Sequence, residues 1–153
     1  MLKDLIAVGG IVHTIDKVLE LPIGPIQTFT AENLSYFLAL GNEGGFLSAE
    51  SFSFVDTFFS NPDVTYFIAN SAKAVADLNM TGLNQTTLLQ SVNYPVAPQI
   101  IYSTGLIDGT QVASVLGPPI LITVYDGDIY VDRAKVTSRD NFVSNGVFHV
   151  IDE

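Results

Sequence analysis

The sequence predicts an α+β domain, helices first and an antiparallel sheet or sandwich second, and three observations carry that prediction. Apolar residues recur at helical spacing through the first half. From Tyr94 onward Pro95, Pro98, Gly105, Gly109, Gly117, Pro118 and Pro119 divide the chain into segments rich in Val, Ile, Thr and Tyr. Two of these segments flank Asp126-Gly127, and an Asp-Gly pair suits the type I′ turn of a tight hairpin, which needs positive φ at both central residues.

Taken in order, Thr30 is placed to cap a helix with Leu34, Phe37 and Leu38 on one face, ending at Gly41. Ser48 is placed to cap a second helix, with Phe52, Val55 and Phe59 at spacings of three and four, which Asn61-Pro62 ends. Val64 to Ile68 is apolar and β-rich, so a strand is expected. Ser71 to Leu78 reads as a helix with Ala72, Val75 and Leu78 along one stripe, and a short helix is expected around Thr86 to Val92. Ile120–Tyr125 and Ile129–Val131 form the predicted hairpin. Ile107-Asp108-Gly109-Thr110 reads as a further turn, and Gly146 to Ile151 as a final strand.

The chain has 153 residues, 48% of them hydrophobic and 14% charged, a composition that buries a core. A net charge of −10 with six Lys and Arg excludes nucleic acid, whose phosphates need clustered cations. The acidic balance also disfavours anionic lipid surfaces. Cysteine is absent, which excludes disulfides and thiolate metal sites. No stretch of about 20 apolar residues spans a bilayer. Asn33, Asn79 and Asn84 each begin an N-x-Ser/Thr triplet, the acceptor pattern of secreted glycoproteins.

An internal repeat sets the domain boundaries. Lys3 to Asp16 reads KDLIAVGGIVHTID, and Arg139 to Asp152 reads RDNFVSNGVFHVID. Asp4 and Asp140, Gly10 and Gly146, His13 and His149, Ile15 and Ile151, and Asp16 and Asp152 are identical pairs at one constant offset. A match at both ends, one domain length apart, implies a tandem array. Residues 1–22 are then the C-terminal strand and linker of a preceding unit, and residues 23–153 are a domain. Residues 11–21 are expected to pack on their own domain or on a neighbour, with self-association as one outcome.

The repeated segment resembles a known family. Asn145 to Asp152, NGVFHVID, resembles the C-terminal box of fasciclin domains, and Gly9 to Pro22 resembles the same box with its Val-Leu-x-Pro extension. Thr65 to Ser71 echoes a second box, with Ala69 where the family has Pro. Tyr94-Pro95-Val96-Ala97-Pro98 echoes a third, with Pro95 where the family has His. The resemblance runs from about Phe29 to Glu153. It implies a wedge-shaped β-sandwich flanked by several α-helices, in extracellular, often glycosylated proteins that mediate adhesion. It further implies adhesive candidates at Asp140, Asn141 and Phe142 and at Tyr94, Pro95 and Val96. The partner would be a cell-surface receptor or matrix protein.

Each candidate has a structural alternative. Asp140 is suited to cap a helix or turn. Tyr94 to Pro98 is suited to a chain reversal. His149 shares a strand face with Val147 and Ile151, which points Asp152 to the opposite face and gives His149 a buried, hydrogen-bonded role. Asp126 and Asp128 are explained by the hairpin rather than by calcium, and Phe52, Phe54, Phe58 and Phe59 by core packing. Gly146, His149 and Asp152 are therefore structural. No catalytic residue, metal site or cofactor is expected, since no cluster of convergent polar groups occurs. The alternative function is carbohydrate binding in a cell wall or glycan matrix, with Tyr102, Tyr125 and Tyr130 as the aromatic platform.

Overall fold

The computed structural model describes residues 5–7, 9–13, 15–43, 59–77 and 94–153. The elements are β1 (Leu5–Ala7), β2 (Gly10–Val12), α1 (Pro25–Ala31), α2 (Ser35–Glu43), β3 (Val64–Ala69), α3 (Ala72–Asp77), β4 (Val96–Ala97), a 3₁₀ turn (Ser103–Gly105), β5 (Gln111–Val112), β6 (Ile120–Tyr125), β7 (Asp128–Val131), β8 (Ala134–Val143) and β9 (Gly146–Ile151). The expected helices from Ser48 and around Thr86 to Val92 lie outside the described residues.

Seven strands form one sheet in the order β4-β3-β9-β8-β7-β6-β5. The sheet is mixed, which corrects the antiparallel expectation: β3 runs parallel to β9 from Val64↔Gly146 to Ala69↔Ile151, while every other pair in it is antiparallel. It curls until the Val115 amide donates to the Val96 carbonyl at 2.7 Å, joining β4 to the segment after β5. Phe67, Val112, Ile120, Ile122, Val131, Val136 and Ile151 fill the interior of this nearly closed sandwich.

A second core lies on the outer face of β3 and β9, under the helices. Val64, Tyr66 and Ile68 of β3 and Phe148 of β9 meet Phe29 and Leu34 there. Phe29 is fully buried, with ring centroids of Phe37, Phe59, Tyr66 and Phe148 at 5.2–6.2 Å. Side chains alternate across a strand, so burying both faces makes β3 a continuous apolar run.

The first helices depart from expectation. Pro25 sits at the start of α1, where its missing amide costs nothing. Thr30 lies inside α1 rather than capping α2, and its hydroxyl bonds back to the Ile26 carbonyl at 2.8 Å. Asn33, at φ 55°, separates the two helices, and α2 runs past Gly41 to Glu43. Leu34, Phe37 and Leu38 do face the core. In α3 the Ser71 hydroxyl accepts the Ala74 amide at 3.1 Å, and Ala74 is the buried residue while Ala72 is exposed.

The predicted hairpin is present. Asp126 and Gly127 both have positive φ, 51° and 81°, between β6 and β7. Gly109 at φ 75° and the bond from the Thr110 amide to the Ile107 carbonyl close the other predicted turn. β1 and β2 form a separate two-stranded sheet. Among the described residues of this segment, Val12 and Ile15 are half exposed, and Val18, Leu19 and Leu21 are 84–90% exposed.

Candidate functional site

Three strands converge on the segment from Gln99 to Ser103 and hold it with buried polar groups. The Thr65 hydroxyl, on the inner face of β3, donates to the Gln99 carbonyl at 2.7 Å and accepts the Ile101 amide at 2.8 Å. His149 on β9 is fully buried, and its ring stacks on Phe67 at 5.6 Å. Its Nδ1 accepts the Asp140 amide at 3.3 Å, which leaves the proton on Nε2 to be donated to the Ile101 carbonyl at 2.9 Å. Asp140 on β8 accepts the Ser103 amide at 2.7 Å and also the Ser103 hydroxyl. Asp140 thus does cap a turn, and the turn is a 3₁₀ segment 37 positions away.

Backbone geometry places these groups. The β8–β9 register shifts between Ser138 and Asn141, and Asp140 takes φ 59° within that irregularity. An Asp tolerates the left-handed region better than most residues. The Asn141 amide donates to the Phe148 carbonyl at 3.2 Å and to the Ser138 hydroxyl at 3.0 Å, pinning the bulge.

Burial pushes the His149 imidazole down, and this outweighs the Ile101 carbonyl and the Asp140 charge, which favour the proton. Burial pushes the Asp140 carboxyl up, but the hydroxyl and amide of Ser103 outweigh it and hold the group below the usual carboxylate range. The neutral ring and the anionic carboxylate are the forms this network stabilises. His149 has neither exposure nor a free nitrogen, so it is unsuited to proton transfer with a substrate. Asp152 points away as expected: its carboxylate accepts the Lys135 amide at 2.7 Å at the end of β8.

Above this network lies an exposed aromatic pair. Tyr102 is 47% exposed and Phe142 56% exposed, with ring centroids 6.3 Å apart. Asp140 therefore meets Ser103, and Phe142 meets the neighbouring Tyr102.

Tyr94, Pro95 and Val96 sit differently. The Tyr94 hydroxyl donates to Asp132 at 2.7 Å, and burial, with the bond to Asp132 and its charge behind it, pushes the phenol up to about 12. The Pro95 carbonyl accepts the Phe67 amide at 2.8 Å. Val96 is 3% exposed and offers no surface to a partner. Tyr94 and Pro95 form a turn leading into edge strand β4, in line with the chain-reversal alternative.

Asn145 clamps a second region. Its amide lies 2.7–2.8 Å from the Phe59 and Asn61 carbonyls and from the Tyr66 hydroxyl. Burial pushes the Tyr66 phenol up to about 12, against the pull of that bond. Asn33 is exposed in its turn, while Asn79 and Asn84 lie outside the described residues, as do Phe52, Phe54 and Phe58. Phe59 packs against Phe29 and Tyr66. Asp128 pairs with Lys135 at 2.6 Å, and among the described residues no cluster of three metal-ligating side chains occurs. No described helix is long and apolar enough to cross a membrane. Sequence reasoning missed Thr65 and Ser103. Thr65 stands at the head of the second box, which was a usable signal; nothing local marks Ser103.

The class of protein is thus an α+β module, a mixed, nearly closed sandwich capped by helices with a buried His on its last strand. A sequence model of the fasciclin domain matches residues 46–153, and the chain belongs to that family. It is 28% identical over 146 residues to a fasciclin-like arabinogalactan protein of Arthroderma benhamiae, covering 95% of this chain and 33% of that protein. It is 39% identical over 70 residues to Protein sll1483 of Synechocystis, covering 46% of this chain and 38% of that protein. The chain thus spans only 33–38% of the length of these curated relatives. A solved FAS1 domain pair from the insect cell adhesion molecule Fasciclin I superposes with a TM-score of 0.61 at 19% identity, covering 97% of this chain and 56% of that one. That likeness shows the fold.

Proposed function

We propose that the chain is a cell-adhesion or matrix-interaction module of a secreted or surface-anchored fasciclin-like protein, binding a receptor or matrix protein through the face around Asp140, Asn141, Phe142 and Tyr102. The observation that carries this is the Tyr102–Phe142 pair, held in solvent by a polar network that fixes both flanking segments. Rigid exposed aromatics cost little entropy on binding and dominate interface energies. The names of the fungal relative and of the insect structure support the same reading. Each contact is weak, and tandem units would raise avidity through effective concentration.

The test is retention of cells or matrix protein on domain-coated surfaces. Phe142→Ala together with Tyr102→Ala lowers retention by about tenfold or more, while unfolding midpoints shift little because both rings are half exposed. Asp140→Ala is a poor probe, since it removes the Ser103 cap; Asp140→Asn keeps the backbone preference. Retention unchanged by the double aromatic variant rejects this face. Carbohydrate binding is the second reading, favoured by Tyr125, which is 74% exposed. A glycan array that lights up with the wild type and fades with Tyr125→Ala selects it.

A further inference from the structure

We propose that a cavity opening into the sandwich interior is a binding site for a single-chain aliphatic carboxylate, with the hydrocarbon inside the sandwich and the carboxylate on Arg133. The site shares no residue with the Tyr102–Phe142 face and is independent of what that face adheres to.

The strands supply the apolar part. The cavity has a volume of about 450 Å³, within the range of about 300–1,000 Å³ usual for small-molecule sites. Phe67, Ile120, Val131 and Ile151 line it, and the same side chains belong to the inner core, where each is at most 6% exposed. Ala69, Ala74 and Ala134 line it too, and their single methyl groups leave space that larger side chains would fill. Protein interiors are otherwise close-packed, so walls that face a void lose contacts they could make. A hydrocarbon chain entering the cavity restores those contacts and removes apolar surface from water.

One wall is set before a ligand arrives. Tyr94 is fixed at three points: its hydroxyl donates to Asp132 at 2.7 Å, its carbonyl accepts the Ser114 hydroxyl at 2.6 Å, and its ring lies so close to Gly117 that a Cβ there would come within 2.9 Å of it. The turn between β7 and β8 is fixed as well. The Asp132 carboxylate accepts the Leu121 amide at 3.0 Å, and the Asp132 amide donates to the Leu121 carbonyl at 2.7 Å. A preformed wall spares the ligand the cost of ordering it.

The charged lining residues select the head group. Asp132 already accepts two hydrogen bonds, one on each carboxylate oxygen. Glu153 is paired with Lys73. Arg133 is exposed and, among the described residues, forms no ion pair. The unused hydrogen-bonding capacity of the lining is therefore a guanidinium fork, which fits a carboxylate with two parallel bonds. The net charge of −10 makes the protein as a whole repel anions and attract cations. Preference for an anionic amphiphile over a cationic one thus reports this local donor and not the general surface.

The test is titration of the isotope-labelled chain with octanoate, followed by NMR, beside 1-octanol and octyltrimethylammonium as uncharged and cationic probes with the same alkyl chain. Octanoate moves the amides of Phe67, Ala69, Ile120, Ala134 and Ile151 saturably, and binds at least about threefold more tightly than octanol, the scale of an exposed charge pair. Arg133→Gln removes that preference and leaves octanol binding unchanged. Ala69→Leu, which fills the cavity, weakens both by about tenfold or more. Arg133 is exposed, so its variant keeps the test decisive even if Ala69→Leu fails to fold. The proposal is overturned by the absence of saturable shifts at these amides, by octyltrimethylammonium or octanol binding there as tightly as octanoate, by a preference that survives Arg133→Gln, or by unchanged affinity in a folded Ala69→Leu variant. Retention on coated surfaces is read separately, so failure here leaves the adhesive reading standing, and failure there leaves the carboxylate site standing.

Discussion

The β3–β9 ribbon and the β6–β7 hairpin are both β-pairs, but they are made by different means. β6 and β7 are consecutive, and a two-residue turn with positive φ at Asp126 and Gly127 sets their register. β6 alternates buried and exposed residues at its start, with Ile120 and Ile122 inward and Leu121 outward. β3 and β9 are far apart in sequence, run parallel, and are covered on both faces by the sandwich interior and the helical core. The hairpin is specified by local backbone chemistry. The ribbon is specified by what its neighbours can accommodate at each position, so it tolerates less.

The largest effect is expected at the ribbon's closest approach. Gly146→Ala drives a Cβ into the Val64 backbone and costs upward of about 3 kcal/mol in urea unfolding. A cost below about 1 kcal/mol would break the comparison. Next comes acid. The folded His149 pKa is depressed below the ordinary 6.5, so the unfolded chain takes up its proton first. Stability contributed by this residue is full above about pH 6.5 and falls as pH drops from there toward the folded value. Asp140, also depressed, adds a separate loss below the ordinary carboxylate range. His149→Gln, which does not titrate, lacks the first step; a first step that persists would assign it elsewhere.

Thr65→Val keeps the shape but loses the bonds to Gln99 and Ile101, at a cost of about 1–3 kcal/mol. Its amides from Gln99 to Ser103 exchange faster than those of β6. Smallest is Gly127→Ala in the hairpin, about 1 kcal/mol, because φ is 81° but no neighbour lies within 4 Å of the added methyl. Equal costs for Gly127→Ala and Gly146→Ala would erase the distinction between turn-set and packing-set pairs.

Legibility in the sequence follows the same division. The hairpin and the final strand were readable because Asp-Gly and alternating residues act locally. The parallel pairing was not, since its partners are remote and the side-chain pattern does not encode direction; the unbroken run Val64 to Ile68 was its one trace. The first helix was missed because Thr30 looks like a cap, whereas Gly24-Pro25 starts α1 and Asn33 ends it. At the site, the buried role of His149 and the capping role of Asp140 were readable from residue type. Their partners were not: the Ile101 carbonyl is a backbone atom, and Ser103 reaches Asp140 only through the bulge in β8. The Tyr102–Phe142 pair was invisible for the same reason.

This chain has no cysteine, so no covalent cross-link braces its loops. Thr65, His149 and Asp140 instead rivet one stretch of loop to three different strands with neutral and anionic hydrogen-bonding groups. Thiol reductants have nothing to cut in such a fastening. Acidification unpicks it, and because the rivets share a single strap, loss of one loosens the rest.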